Sequence, residues 1–126
     1  MKDIDRISSL EELSAKLGVN VDSIVKEFYF AVKGHIEFYQ DDISANPRTL
    51  RTVDSASLIL RIIEDYFEAL GVKMDFVIDL NSPFFKMVRG YAFSQMMDMV
   101  SSLKSEGCKI FAEIDYLKQE IQFALI

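Results

Sequence analysis

The chain predicts an α+β fold, a helical first half followed by a strand, helix, strand, strand unit. Three observations carry this. Apolar residues recur at spacings of three and four as far as about Leu70. They then alternate with polar ones from Met74 to Leu80, and after a further helical stretch they alternate again from Ile110 to the C-terminus. At 126 residues the chain has the size of one domain (1–126, with a helical half to 71 and an α/β half from 72) and buries roughly two-thirds of its unfolded surface.

In chain order, Ser9 precedes Leu10-Glu11-Glu12-Leu13 and can accept from a free amide of the first turn while Glu12 reaches back, a capping box that starts a helix to Leu17. Gly18 supplies the left-handed residue that ends it, and Asn20 caps a second helix from about Val21. Val21, Val25, Phe28, Val32, His35 and Tyr39 make one seam of that helix. Pro47 bars Asn46 from helical angles, and a third helix is expected from near Thr49. Its seam is Val53, Ala56, Leu60, Ile63, Phe67 and Leu70, widened by Ile59, Ile62 and Tyr66, so the second and third helices are expected to pair as an antiparallel hairpin.

After Gly71, Met74–Leu80 alternates apolar and acidic residues as a half-buried strand does. Ser82 can cap, and Pro83 suits the first turn of, a fourth helix to about Ser105. Phe84, Phe85, Met87, Val88, Tyr91, Met96, Met97, Met99 and Val100 make that helix apolar over most of its circumference, which predicts burial on more than one side. Ile110, Ala112 and Ile114, then Ile121, Phe123 and Leu125, read as two strands joined near Leu117-Lys118. Residues 108–126 could instead be helical, because Leu117-Lys118-Gln119-Glu120 favours helix.

Half of the residues are hydrophobic, with 10 Phe and 6 Met. That is more than one small core hides, so a homodimer or a bound protein partner is expected. The contact is expected on the seams of the second and third helices, at Phe28, Val32, Tyr39, Val53, Leu60, Ile63 and Phe67. The formal charge of −6 opposes non-specific attraction to DNA or anionic membranes. Cys108 is alone, a small buried hydrophobe in this reading, and a reducing compartment suits it. The opening Met-Lys-Asp-Ile-Asp-Arg has no apolar run of signal-peptide length and no ~18-residue apolar stretch follows, so a cytoplasmic protein without a membrane span is expected. Asp41-Asp42 lacks the ligand number that calcium needs and reads as a solvated helix end. No metal, no cofactor and no catalytic residue is expected, since no nucleophile has a recognisable base beside it. Arg48, Arg51 and Arg61 read as a cationic edge of the third helix.

The stretch from Leu10 to Glu27 resembles the helix-turn-helix of bacterial DNA-binding regulators. The matching features are Ser14 four residues before Gly18, and Val19, Val21 and Ile24 placed to pack the second helix on the first. The resemblance implies DNA binding through Asp22, Ser23 and Lys26, where the family reads bases. Against a basic footprint, residues 1–34 hold five Lys or Arg and six Asp or Glu. The stretch from Ile62 to Ile126 resembles the first half of the ATP-binding domain of histidine kinases, with the family's asparagine positions falling at Asp98 and Ser102 and no glycine box following. The helical hairpin before it is similar in outline to histidine phosphotransferases, which implies His35 as a phosphoacceptor. The expected function is that of a small non-enzymatic regulatory or adaptor protein that dimerises and binds a macromolecule. A DNA-binding regulator and a phosphotransfer protein using His35 are the alternatives.

Overall fold

The structure, a computed structural model, describes residues 5–126. The first four residues of the charged opening lie outside the described residues. In order the elements are β1 (Asp5–Ile7), α1 (Leu10–Leu17), α2 (Val21–Ala45), β2 (Arg51–Asp54), α3 (Ser55–Ala69), β3 (Phe76–Ile78), α4 (Pro83–Ser105), β4 (Ile110–Asp115) and β5 (Glu120–Leu125). The fold is α+β. The helical alternative for residues 108–126 gives way to a hairpin, β4 paired antiparallel with β5 from Ile110↔Leu125 to Asp115↔Glu120.

Local signals act as their chemistry dictates. Ser9 Oγ accepts from the Glu12 amide at 3.1 Å, while the Glu12 carboxylate turns to the Ser8 amide at 3.4 Å. Gly18 ends α1 at φ 71°, where a side chain is strained. Asn20 Oδ1 accepts from Ser23 N at 2.8 Å, and Ser82 caps α4 ahead of Pro83.

The third helix begins later than its apolar spacing suggests. Residues 51–54 form β2, antiparallel to β5, and Asp54 then caps α3 by accepting from Ala56 N at 3.1 Å. Val53 therefore points into the core from a strand and is not on the helix seam. For the same reason Arg48 and Arg51 are not on a helical edge with Arg61: Arg48 lies in the connection, at φ 68°, and Arg51 opens β2.

α4 packs against α2 and α3 and against β4 and β5, which accounts for its broad apolar surface, while Met87, expected among the buried residues, is exposed with Lys86, Ser94 and Asp98. Phe85, Ala92 and Met96 are fully buried on it. The central strand β5 lies between β2 and β4 and sends Ile121 and Phe123 inward, Phe123 meeting the Tyr39 ring of α2 edge-on at 6.2 Å. The expected strand after Gly71 does not join this sheet. β3 pairs in parallel with β1, an element without an amphipathic signature, and Phe67 of α3 covers the pair through Phe76 at 4.9 Å. Lys16 of α1 fastens this corner, 2.8 Å from Asp5 and 3.8 Å from Asp75, and the Asp5 carboxylate holds its ammonium above the usual lysine range.

The expected antiparallel hairpin of α2 and α3 does not close into a tight pair, because β2 separates them and both lean on α4. Of the seven seam residues expected at an interface, Phe28, Val32, Val53, Ile63 and Phe67 are buried in the chain's own core, and Tyr39 and Leu60 are half-buried. Their burial reports packing within the chain, as of Phe67 against Phe76 of β3 and Tyr39 against Phe123 of β5. Cys108 is half-buried rather than buried. Among the described residues no helix is long and apolar enough to cross a membrane.

Candidate functional site

Because α2 and α3 splay around β2, an open groove of about 870 Å³ runs between them. One wall is α2, with Ala31, Gly34, His35, Phe38, Tyr39 and Asp42; the other is β2 and the first turns of α3, with Arg51–Asp54, Ser57, Leu58, Arg61 and Asp65.

Its arginines and carboxylates are already engaged. Arg51 Nε binds the Asp42 carboxylate, Nη2 donates to the Asp42 carbonyl at 2.9 Å and the Asn46 carbonyl at 3.3 Å, and Nη1 donates to the Thr49 carbonyl at 2.7 Å. This guanidinium holds the Asp42 carboxyl below the usual range, with Asn46 Nδ2 adding a bond at 2.9 Å. Asp42 is thus a tie between α2 and β2, and not the solvated helix end its neighbour Asp41 suggests. Asp54 is spent on the α3 cap and on the Ser57 hydroxyl at 3.1 Å, and Arg61 lies 3.3 Å from Asp65 one turn on.

His35 sits in the α2 wall. Burial lowers its pKa, Asp65 opposing and Arg61 reinforcing the shift, so the neutral ring is favoured. Among the described residues no hydrogen bond orients the imidazole, and Tyr39, whose pKa burial raises, is its ring neighbour at 6.3 Å. A nucleophile or general base needs an orienting partner, and among the described residues the groove shows none for His35. Nor, among the described residues, do three or more His, Cys, Asp or Glu converge to hold a metal ion.

What the groove leaves unspent is backbone. β2 is an edge strand of the order β2-β5-β4. Ser55 N–H donates to the Gln119 carbonyl at 3.2 Å, in the register that pairs Val53 with Ile121 and Arg51 with Phe123. Antiparallel ladders alternate, so Arg51 and Val53 bond to β5 and Thr52 turns its N–H and C=O to the open edge. Phe38, 62% exposed, stands across from that edge on α2.

The other expected positions lie apart. Asp22, Ser23 and Lys26 are exposed on the first turns of α2, and Ser14 Oγ donates to the Val19 carbonyl within the turn that precedes them. Asp98 and Ser102 lie on the solvent side of α4, beside a shallow depression shared with Ser101, Ser105 and Glu106. Sequence reasoning brought His35, Tyr39 and Val53 to notice, and Arg51 only as part of a helical cationic edge, and passed over Thr52 and Asp54. The signal for these was the β-branched pair Thr52-Val53 just before an Asp54 cap. Comparison with known proteins sets nothing beside this chain: no protein-family model, no curated protein and no solved structure matches it.

Proposed function

We propose that this is a non-enzymatic adaptor or regulatory protein, cytoplasmic and self-associating, that captures an extended segment of another protein as an added strand on β2. The open edge at Thr52, facing helix α2 across a groove whose charged side chains are already engaged, supports this reading. An edge strand beside a helix is the usual setting for strand addition, in which backbone bonds give affinity and side-chain pockets give selectivity. Ala31, Phe38, Tyr39 and Leu58 offer the apolar contacts.

The test is selection from a random linear-peptide library, followed by amide exchange on the complex. Enriched peptides are expected to slow exchange at Thr52. Thr52→Pro deletes a donor the β5 ladder does not use, and should weaken them about tenfold or more while the fold persists. No enrichment, or equal binding by Thr52→Pro, removes the proposal.

A second reading, a DNA-binding regulator, draws support from the exposed Asp22, Ser23 and Lys26 beyond a glycine turn. It requires saturable binding of genomic DNA fragments that weakens steeply with salt. With Asp22 and Glu27 flanking Lys26, the expected fluorescence-anisotropy result is no binding at physiological salt.

A further inference from the structure

The turn between β4 and β5 holds a leucine in solvent. Leu117 is 91% exposed, yet the turn beneath it is well tied. Asp115 Oδ1 accepts from the amides of Leu117 and Lys118 at 3.1 and 2.9 Å, Arg89 Nε donates to the Gln119 side chain at 2.7 Å, and the Tyr116 ring rests edge-on against Phe93 at 6.0 Å. An apolar side chain projected from a stiff turn loses little freedom on docking, which is the property of an interface anchor. Its surroundings are acidic on balance, with Glu113, Asp115 and Glu120 against Lys118 and the Arg89 that reaches the turn.

Elsewhere the chain carries an apolar recess. A small apolar pocket of about 80 Å³ opens between Val25, Tyr29, Met87 and Tyr91, with the fully buried Ile59 at its lining. Tyr29 and Met87 are 52% and 60% exposed at its mouth, and Tyr29 meets Tyr91 edge-on at 4.8 Å. The depression that adjoins it through Tyr29 and Tyr91 has Lys26 and Lys33 as its charged lining residues, a basic spot on a chain of net charge −6.

We propose that Leu117 of one copy of this chain docks in the pocket of a second copy, with the acidic flank of the turn facing Lys26 and Lys33. Knob and recess are separate surfaces, so either two copies exchange knobs in a two-fold pair or the contact runs head-to-tail, closing into a ring or propagating from copy to copy. The recess shares no residue with the groove at β2. Self-association and peptide capture therefore stand or fall separately.

Leu117→Asp removes the knob and Met87→Glu places a carboxylate at the mouth of the recess; both positions are exposed, so each variant should keep the wild-type circular dichroism. Light scattering over a concentration series is expected to show wild-type self-association, weakened about tenfold or more in each variant. Isotope-labelled Leu117→Asp, which keeps the recess, should then show shifts at Tyr29 and Tyr91 on addition of unlabelled Met87→Glu, which keeps the knob. Added unlabelled Leu117→Asp should cause none. A monomeric wild type, a variant that associates as the wild type does, or a mixture without shifts overturns the proposal.

Discussion

Phe123→Ala is expected to destabilise the fold by about 3–5 kcal/mol and to lower the melting temperature on the order of 10–20 °C. Phe123 lies on the central strand, between Arg51 and Ala112 in the two ladders, fully buried and against the Tyr39 ring. Its neighbours are held by hydrogen-bonded strands on both sides and by α2 above, so they cannot collapse into the space a truncation leaves. The cavity cost then adds to the lost transfer energy. Urea unfolding followed by circular dichroism measures it. Phe38→Ala, at an exposed position of similar chemistry, is the control and should change stability by no more than about 0.5 kcal/mol. A loss at Phe123 no greater than at Phe38 would mean that the sheet does not pack on α2 as described.

Arg51→Met is expected to loosen the end of α2 from β2 and to change how stability responds to acid. Its guanidinium serves the carbonyls of Asp42, Asn46 and Thr49 besides the Asp42 carboxylate, and a helix C-terminus leaves such carbonyls without partners of their own. Because Asp42 titrates below its ordinary value of about 3.9, its contribution is complete above that pH and is lost as pH falls through the lower folded value. In Arg51→Met that loss has already occurred, so the fall in stability below about pH 4 should be shallower than in the wild type. His35 acts at higher pH with the same sign. Its lowered pKa means that protonation favours the unfolded chain, so stability declines as pH drops below about 6.5 in both proteins. Unfolding midpoints from pH 7 to pH 2 separate the two; parallel curves for wild type and Arg51→Met would exclude Asp42 as the acid-labile tie.

The parts of the fold that were legible are those decided by neighbours in sequence. Ser9, Gly18, Asn20 and Ser82 terminate helices through bonds that span three or four residues, and each sits where its side chain or φ requires. The period of two in 110–115 and 120–125 likewise reflects the pleat of a sheet with one face buried. β1 and β2 were not legible. Their three and four residues, without the alternating flanks that reveal β3, are too few to display a period, and Val53 happens to fall at a helical spacing from Ala56 and Leu60. What makes each a strand is a partner far along the chain, β3 for one and β5 for the other.

The candidate site follows the same division. The sequence alone determined the α+β class, the caps, the broad apolar surface of α4 and the surplus of apolar residues, because each depends on local backbone geometry or on composition. Only the tertiary structure decided which apolar residues are spent. Phe28, Val32, Ile63 and Phe67 are consumed by α4 and its neighbours, while Phe38 and Leu117 stay in water. It also decided that Arg51 and Asp42, nine residues apart, would tie a helix end to an edge strand and leave Thr52 open beside α2. A spacing rule names the side of an element that seeks cover; what covers it is set by the packing of elements distant in the chain.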